Sequence, residues 1–304
     1  MKKINLYWYK TRDGHGNFGD ELNHFIVSKL SSRKINQILV PSEGFDYIYK
    51  SLSSIYNKYI SIKDIPKLIR QFFVSDLVIG IGSVIAIPKN SKAHIWGSGI
   101  IKKDDLINKA NFYAVRGVYT QKRLKELHLP VPNIIGDPAL LLPLVFEANI
   151  KKKFKLGIIP HFIHYENVNN QFCDDSILII NLLDPIEKII TEIVSCECTI
   201  STSLHGIIVS QAYKIPSLWY EISEKPLSGD NIKFHDYFSS VGIEEYSPFA
   251  LRTENFDLEK HLETFKTNNH ITLINKELTE IQQKLISVAP FPILEKYKKG
   301  NINK

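Results

Sequence analysis

The sequence predicts an α/β fold in two halves, each built on a parallel sheet. Short, continuous apolar runs alternate with amphipathic helical patterns along most of the chain, as in parallel α/β proteins. Most of the apolar runs end at glycine or at small polar residues, and the carboxyl ends of parallel strands are where such folds bind ligands. The 304 residues, 44% of them hydrophobic, are enough for about two domains.

The first half opens with a strand and a helix. The strand is predicted over 4–9, and the helix over 20–30 has apolar residues at helical spacing. Asp20 and Glu21 place negative charge at the helix N-terminus, which stabilises the helix dipole. The remaining elements of this half are strands over 36–40, 77–83, 93–96, 111–115 and 133–135, an undivided helical region over 46–73, and a helix over 118–127.

The second half repeats this alternation. The apolar run 140–143 and the basic run 151–153 mark the crossing, so that we expect a first domain over 1–148 and a second over 149–304. A late helix is expected to pack back toward the first domain, and two Rossmann-like domains with an interdomain cleft form the architecture called GT-B. The predicted elements are strands over 154–159, 176–182, 198–201 and 217–220, and helices over 185–195, from Leu204 to Pro216, and over 272–286.

The stretch Thr199–Pro216 carries the clearest chemical signal. A short strand runs into the hydroxyl residues Ser201, Thr202 and Ser203, and a helical apolar stripe follows. Such a junction favours anion binding, because backbone N–H groups and the helix dipole point at the ligand. His205 lies in the first turn of this helix, where an imidazole suits general acid/base chemistry. A helix cap with a structural histidine is the alternative interpretation.

The loop after the first strand contains a literal G-x-G-x-x-G, from Gly14 to Gly19, with Glu43 at a tolerable distance for a ribose contact. This pattern would indicate a nicotinamide-dependent dehydrogenase. Two features argue against it. The polar residues 10–13 separate the strand from the first glycine, and Asp20 would place a carboxylate where a pyrophosphate should lie.

Composition excludes several classes of protein. No apolar run reaches the length of about 18 residues that a transmembrane helix needs, and the N-terminus lacks the apolar region of a signal peptide. Cys173, Cys196 and Cys198 do not form a disulfide framework or a zinc site, so we expect no metal and a cytoplasmic protein. The net charge of +6 suits anionic substrates or an anionic membrane face, and its scattered distribution argues against nucleic acid.

Several short motifs follow one another along nearly the whole chain. They occupy residues 17–23, 80–83, 96–99, 114–117, 136–141, 160–161, 203–206 and 233–242. In this order they resemble the polysaccharide pyruvyl transferase family, and most closely the subgroup that acts on bacterial exopolysaccharide and capsule sugars.

This resemblance implies an activity and its partners. Such enzymes move the enolpyruvyl carbons of phosphoenolpyruvate onto two hydroxyls of one sugar, which forms a cyclic ketal and releases phosphate. The resemblance therefore implies phosphoenolpyruvate as co-substrate, no cofactor, and a glycan acceptor. It is compatible with a lipid-linked acceptor and with peripheral contact at the inner face of the membrane.

The resemblance also assigns a donor site. The family's proposed general acid/base corresponds to His205, and the Arg of its A-V-R motif corresponds to Arg116, whose planar guanidinium suits a carboxylate or a phosphate. Many members carry Arg immediately before Leu-His-Gly, where this chain has Ser203. We expect the donor to be bound by Arg116, His161, Ser203, Leu204, Gly206 and Lys233.

The acceptor side is expected in the first domain, lined by Asn17, Ser83 and Trp96. Protonation of the methylene carbon of the donor leaves a cationic carbon that a sugar hydroxyl attacks, so a base is required, and Asp20 or His205 can serve. Each assignment has a structural alternative. Asp20 can cap its helix, and Trp96 can belong to the core.

Three other functions compete with this one. A GT-B glycosyltransferase that uses a nucleotide sugar shares the fold, and Glu221 or Glu224 could contact its ribose. The dehydrogenase described above is the second. The third is a non-catalytic module of an export complex that binds a sugar or a partner protein.

Overall fold

A computed structural model describes residues 3–9, 16–74, 76–172, 174–222, 226–227, 229–252, 254 and 256–298. Several residues singled out above lie outside these described residues: 10–13, Gly14, His15, Cys173 and Glu224.

The described residues form two parallel sheets, which confirms the α/β class with two Rossmann-like domains. The first sheet consists of β1 (Ile4–Tyr7), β2 (Ile35–Ile38), β3 (Leu77–Ile79), β4 (Ala93–Trp96), β5 (Asn111–Val115) and β6 (Ile134–Ile135). The second consists of β7 (Phe154–Ile159), β8 (Ile177–Ile179), β9 (Cys196–Ser201), β10 (Ser217–Glu221) and β11 (Phe249–Ala250).

Helices connect these strands. They are α1 (Phe18–Ser31), α2 (Gly44–Tyr56), α3 (Ile65–Gln71), α4 (Val118–Glu126), α5 (Leu142–Val145), α6 (Tyr165–Asn169), α7 (Ile186–Val194), α8 (Leu204–Ala212), α9 (Ile232–Val241), α10 (Leu258–Thr267), α11 (Leu278–Ser287) and α12 (Glu295–Lys298). Within the described part of the chain, none of them combines the length and the apolar character that crossing a bilayer requires.

The two sheets share one strand order. The first runs β2-β1-β3-β4-β5-β6, and the second, read from its other edge, runs β8-β7-β9-β10-β11. In both, the first strand of the sheet pairs in parallel with the second and the third. The order therefore reverses between β1 and β3 and between β7 and β9, and open α/β sheets bind ligands at such switch points.

The chain divides into two compact units. The first comprises the described residues of Met1–Pro138, Asp230–Ser240 and Thr279–Lys304, and the second those of Ala139–Gly229 and Val241–Leu278. The sequence-based division between residues 148 and 149 stays a prediction.

The predicted helix over 272–286 is wrong in its first turns, since α11 begins only at Leu278. Backbone groups before it are used elsewhere. The carbonyl oxygen of Thr272 accepts a hydrogen bond from the Ser217 N–H, and the N–H of Asn275 donates to Val241. These bonds hold the segment against β10 of the second sheet and the end of α9 instead of in a helix.

The helix after the central turn is shorter than predicted. It ends at Ala212, before Pro216. Lys214 has a φ of 60°, in the left-handed region, and the N–H of Ile215 reaches back to the carbonyl of Ser210. A left-handed residue of this kind ends a helix because its geometry satisfies the last carbonyl groups.

Candidate functional site

The hydroxyl-rich turn after β9 lies at the switch point of the second sheet. The Ser201 hydroxyl accepts a hydrogen bond from the Ser203 N–H at 3.0 Å and lies 3.0 Å from the carbonyl oxygen of Ile159, the last residue of β7. The Thr202 hydroxyl accepts from the His161 N–H at 2.8 Å. These bonds join the ends of β7 and β9, so the turn is held from both strands.

Ser203 occupies the N-cap position of α8 with extended backbone angles, yet its side chain makes no capping hydrogen bond. The first N–H groups of any α-helix lack acceptors within the helix, and they carry the positive end of its dipole. The start of α8 therefore offers backbone donors beside a serine hydroxyl, which suits an anionic ligand.

His205 and Gly206 form the first turn of α8. His205 is half-buried, while Gly206 lies directly on the strand ends. A Cβ at Gly206 would lie 2.3 Å from the Ser201 hydroxyl oxygen and 2.9 Å from a methyl carbon of Ile159. Glycine is therefore required for α8 to start so close to the switch point. The close start of α8 also places His205, in the same turn, near the strand ends.

His161 lies on the same edge, directly after β7. Its ring lies beside that of Phe162, with centroids 4.5 Å apart and the planes tilted by 34°, and its Nδ1 accepts a long hydrogen bond of 3.5 Å from the Ile163 N–H. The predicted site residues of the second unit thus all lie at one switch point: His161 directly after β7, Ser203 at the N-cap of α8, and Leu204, His205 and Gly206 in the first turn of α8.

The switch point of the first sheet has a different composition. Helix α1 begins there, and the side chain of its N-cap residue Asn17 accepts from the Asp20 N–H at 3.1 Å. The side chain of Asn23 bonds both the N–H and the carbonyl of Ile81, at 2.8 and 2.9 Å. Asn23 thereby ties α1 to the glycine loop after β3.

Asp20 is buried in the first turn of α1. Burial is the main cause that raises the pKa of this carboxyl to about 7, and the neighbouring charge of Glu21 raises it further. Gly82 has a φ of 114°, and a Cβ built on it would lie 3.7 Å from an Asp20 carboxylate oxygen. The N-cap residue of α1 is Asn17, and Asp20 lies three positions later, where its carboxyl group interacts with the Asn17 side chain.

Arg116 lies in a buried polar cluster of the first unit. Its Nε donates to Asp236 at 3.0 Å, one terminal nitrogen donates to the Ser83 hydroxyl at 2.7 Å, and the other donates to the Ile100 carbonyl. Thr120 donates to the same carboxylate from its N–H at 2.9 Å and from its hydroxyl at 2.7 Å. Both charged side chains of this Arg116–Asp236 cluster are 0% exposed.

Two glycines make room for this cluster. A Cβ at Gly99 would lie 2.5 Å from the guanidinium carbon of Arg116, and one at Gly117 would lie 1.7 Å from the backbone oxygen of Asp236. The glycines of two motifs quoted above are therefore explained by the packing of a buried ion pair. The role of Arg116 as a donor ligand stays a prediction, and its contacts favour a positioning role.

Lys233, the other predicted cation of the donor site, is the second residue of α9 and is half-buried. Its ammonium lies 5.3 Å from the centroid of the Phe234 ring. Burial lowers the pKa of Lys233 to about 8, and the positive charge of Arg116 lowers it further.

Trp96, predicted as an acceptor contact, lies in the core of the first unit. Its side chain is 0% exposed, its indole N–H donates to the Leu285 carbonyl at 2.9 Å, and its ring packs edge-on against Phe291 at 5.0 Å. These contacts support the structural interpretation of Trp96.

The second unit also contains a cavity of about 1050 Å³ beside the carboxyl-terminal residues of β10 and β11. Tyr220 and His261 line it, with the phenol oxygen 2.8 Å from the ring Nδ1. None of the described residues that line this cavity is a predicted site residue.

A comparison with family models decides the classification. The model of the polysaccharide pyruvyl transferase family matches residues 17–224. The chain belongs to this family. The match begins at the helix cap of α1 and includes both switch points, so the two loop sets described above lie within the region that the family shares.

Two relatives are similar over most of this pyruvyl transferase chain. The uncharacterized protein L143 of Acanthamoeba polyphaga mimivirus is 29% identical over 283 residues, which covers 90% of this chain and 88% of the relative. The succinoglycan biosynthesis protein ExoV of Rhizobium meliloti (strain 1021) is 23% identical over 248 residues, covering 78% of this chain and 64% of that protein.

Three residues with clear roles were not given those roles by the sequence. They are Asn23 in α1, Thr202 in the central turn, and Asp236 in α9, which pairs with Arg116 across 120 positions of sequence. Each lies in or beside a motif, but only the three-dimensional pairing reveals its partner.

The contacts of Glu43 and the position of Gly19 argue against the dehydrogenase interpretation. Glu43, the predicted ribose contact, accepts instead from the N–H and the hydroxyl of Ser91 at 3.2 and 3.1 Å. Gly19, the last glycine of the pattern, is the second residue of α1 rather than part of a loop.

Proposed function

We propose that this member of the pyruvyl transferase family transfers the enolpyruvyl group of phosphoenolpyruvate to two hydroxyls of one sugar in a bacterial surface polysaccharide or its precursor. The products are a cyclic ketal and phosphate. The observation that carries the proposal is His205 in the first turn of α8, at a switch point inside the region that the family shares. A cytoplasmic site of action and a lipid-linked precursor as acceptor form part of the proposal.

The donor anion binds at the start of α8. Backbone N–H groups and the dipole of α8 favour its negative charge, and the Ser203 hydroxyl, which makes no capping bond, adds one donor. His161, on the neighbouring loop, contacts the same ligand. With Ser203 where many members have Arg, the dipole and the backbone N–H groups of α8 carry more of the binding.

His205 supplies the proton that starts the reaction. Its imidazolium protonates the methylene carbon of the donor, and the central carbon becomes an oxocarbenium ion. The first sugar hydroxyl forms a bond to that carbon and gives its proton to a base. The second hydroxyl then forms the other ketal bond as the carbon–oxygen bond to phosphate breaks, and its proton leaves with the phosphate. The donor methylene becomes the methyl group of the ketal.

The acceptor sugar binds to the first unit. A sugar carries no charge, so a set of hydrogen-bonding groups suits it better than a cationic site. Asp20 is the proposed base, because a carboxyl with a pKa of about 7 is ready to accept a proton near neutral pH. Asn17 and Ser83 are the proposed hydrogen-bonding partners of the sugar hydroxyls.

Product analysis in D2O tests the proposal. The chain is incubated with phosphoenolpyruvate and oligosaccharide acceptors, and phosphate release and the product are followed by NMR. Proton transfer from an exchangeable group such as an imidazolium predicts one deuterium in the ketal methyl group.

The control is His270→Ala, since His270 is an exposed histidine of the second unit. We expect His270→Ala to form the deuterated ketal at the normal rate, and His205→Ala to form almost none. Transfer of a sugar from a nucleotide sugar, with phosphoenolpyruvate left intact, would contradict the proposal in favour of the glycosyltransferase.

A further inference from the structure

Helix α2 of the first unit presents its apolar stripe to solvent. Phe45, Ile48, Tyr49, Leu52 and Tyr56 occupy positions i, i+3, i+4, i+7 and i+11, which places them on one face of the helix. All five are exposed, and Phe45 and Tyr56 are 91% and 87% exposed. Surface helices normally turn the apolar stripe inward, so this orientation is the reverse of the usual one.

The opposite face of α2 makes the contacts with the protein. Tyr47 and Ser51 are its buried residues, and Tyr47 packs with Val40 and Leu68 in a small core. The phenol of Tyr47 donates to the Leu68 carbonyl at 2.7 Å. The outward direction of the stripe is therefore fixed by specific contacts on the other side.

Helix α3 adds a second exposed stripe. Ile65 and Ile69 are four residues apart on the helix, Phe72 and Phe73 follow directly after its last residue, and Phe73 is 83% exposed. The two helices are in direct contact through the hydrogen bond from Tyr47 to Leu68, and the ring of Tyr47 also lies edge to face with that of Phe72, the C-cap residue of α3, at 5.6 Å. We call the exposed residues of both helices and their connection the α2–α3 surface: Phe45, Ile48, Tyr49, Leu52, Tyr56, Tyr59, Ile62, Ile65, Ile69, Phe72 and Phe73.

The same segment is basic. Residues 44–74 contain five Lys and Arg side chains and two carboxylates. One of these carboxylates, Asp46, already pairs with Lys50 and with Lys89 from another segment. Lys58, Lys63 and Arg70 are exposed among the apolar residues.

This combination distinguishes between possible occupants. A second copy of the chain would bring an identical basic surface against the first, because a two-fold interface pairs each patch with itself. An anionic lipid surface complements the cations, and exposed Phe and Tyr side chains insert at the level of the headgroups. Charge complementarity therefore favours lipid.

We propose that the α2–α3 surface docks on an anionic lipid bilayer, with its aromatic and aliphatic side chains in the interface and Lys58, Lys63 and Arg70 against the headgroups. The inference rests on exposure, helical spacing and charge, and it holds for any activity of the chain. Because α2 follows the carboxyl end of β2, it starts at the same edge of the sheet as α1 with Asp20.

Vesicle sedimentation tests this proposal without donor or acceptor, so its outcome is separate from that of the proposed activity. The full chain is mixed with vesicles of phosphatidylcholine alone or of equal parts phosphatidylcholine and phosphatidylglycerol. We expect binding to the mixed vesicles, weakened by added salt because surface charges are screened. Phe45→Ser with Phe73→Ser, and Lys63→Glu with Arg70→Glu, should each lower the bound fraction about tenfold.

The matched controls are Leu106→Ser and Lys122→Glu, an exposed apolar residue and an exposed cation elsewhere in the first unit. Both should bind like the unaltered chain, and all variants should keep its circular dichroism melting curve, since only exposed side chains change. Absence of binding to the mixed vesicles, or equal losses in the controls, would overturn the proposal. So would a dimer in light scattering that Phe45→Ser with Phe73→Ser converts to a monomer, because a second copy would then cover this surface.

Discussion

The two switch points share a strand order but differ in their chemistry. In the first sheet, the helix that starts there carries Asp20 and Glu21 in its first turn, and Asn17 and Asn23 around them. In the second sheet, the corresponding helix starts after three hydroxyl residues and carries His205.

The difference indicates that strand order determines where a site lies, while the residues in the first turn of the helix determine which ligand binds there. Carboxylates at a helix N-terminus neutralise the positive end of the dipole. Such a site therefore repels an anion and suits a neutral, hydrogen-bonding ligand. A first turn without acidic residues leaves the dipole available to an anion. The comparison supports the sugar on the first unit and phosphoenolpyruvate on the second.

The largest effect is expected from the histidine of the second switch point. His205→Ala should lower turnover by about a hundredfold to ten-thousandfold, because general acid catalysis typically contributes a factor of about 10² to 10⁴. Steady-state phosphate release measures the effect, with His270→Ala as the control. Turnover within a few-fold of the unaltered chain would remove His205 from the mechanism.

The next effect concerns the Arg116–Asp236 cluster. Removing one partner leaves an uncompensated buried charge, so Asp236→Ala should lower the free energy of unfolding by about 3–5 kcal/mol. Urea denaturation measures the change. The matched control is Glu280→Ala, which breaks the exposed pair of Glu280 with Lys284 and should change stability by less than about 1 kcal/mol.

A variant of the same cluster tests whether Arg116 contributes to donor binding, to acceptor binding or to neither. If Arg116 also contacts the donor, as the sequence predicts, Arg116→Lys should raise the KM for phosphoenolpyruvate far more than the KM for the acceptor. Steady-state kinetics with each substrate varied in turn separates the two. Equal increases would leave Arg116 with a positioning role alone.

Much of this could be predicted from the sequence, because its signals are local. The strands 93–96, 111–115 and 154–159 coincide with β4, β5 and β7. Each is a short apolar run bounded by polar or glycine residues, and the last two residues of each strand are buried, so the local pattern was sufficient to predict it. The turn that carries His205 was predicted on the same local grounds.

The remainder depends on contacts that are distant in sequence. The Asp236 carboxylate and the Leu285 carbonyl are the partners of Arg116 and Trp96, and no local pattern indicates them. Arg116 was predicted to contact substrate from the family resemblance, and Trp96 because its ring could stack on a sugar, but both side chains are fully buried. The division of 46–73 into two helices likewise depends on packing around Tyr47.

A smaller effect is expected on the pH dependence of stability, because the first switch point contains a buried carboxyl group. The pKa of Asp20 is raised from its ordinary value of 3.8 to about 7 in the folded chain. The folded state therefore holds this proton more tightly than the unfolded chain, so its contribution to stability is complete below about pH 4 and is lost as the pH rises to about 7. The loss amounts to at most about 4 kcal/mol.

Asp20→Asn keeps the shape of the side chain and removes the titration. Urea denaturation at several pH values should show the unaltered chain losing more stability than Asp20→Asn between pH 4 and 7. Parallel curves for the two chains would show that the Asp20 carboxyl titrates normally and would contradict its assignment as a base.

The smallest effect is expected at Ser203. Its hydroxyl is proposed to donate one hydrogen bond to the donor anion, so Ser203→Ala should raise the KM for phosphoenolpyruvate by up to about tenfold and leave the acceptor KM unchanged. Kinetics at saturating acceptor measures this. An unchanged donor KM would assign the binding to the backbone N–H groups alone.

The central claim is that the second switch point binds phosphoenolpyruvate, and thermal shift with Ser203→Asp tests it most directly. Aspartate is a good N-cap residue, so this variant should fold, but its charge repels an anion at the start of α8. A ligand that binds only the folded chain raises the unfolding midpoint. We expect phosphoenolpyruvate, and neither NAD nor nucleoside diphosphates, to raise the midpoint of the unaltered chain and to have almost no effect on Ser203→Asp. Stabilisation by a nucleoside diphosphate alone, or an equal shift by phosphoenolpyruvate in Ser203→Asp, would contradict the claim.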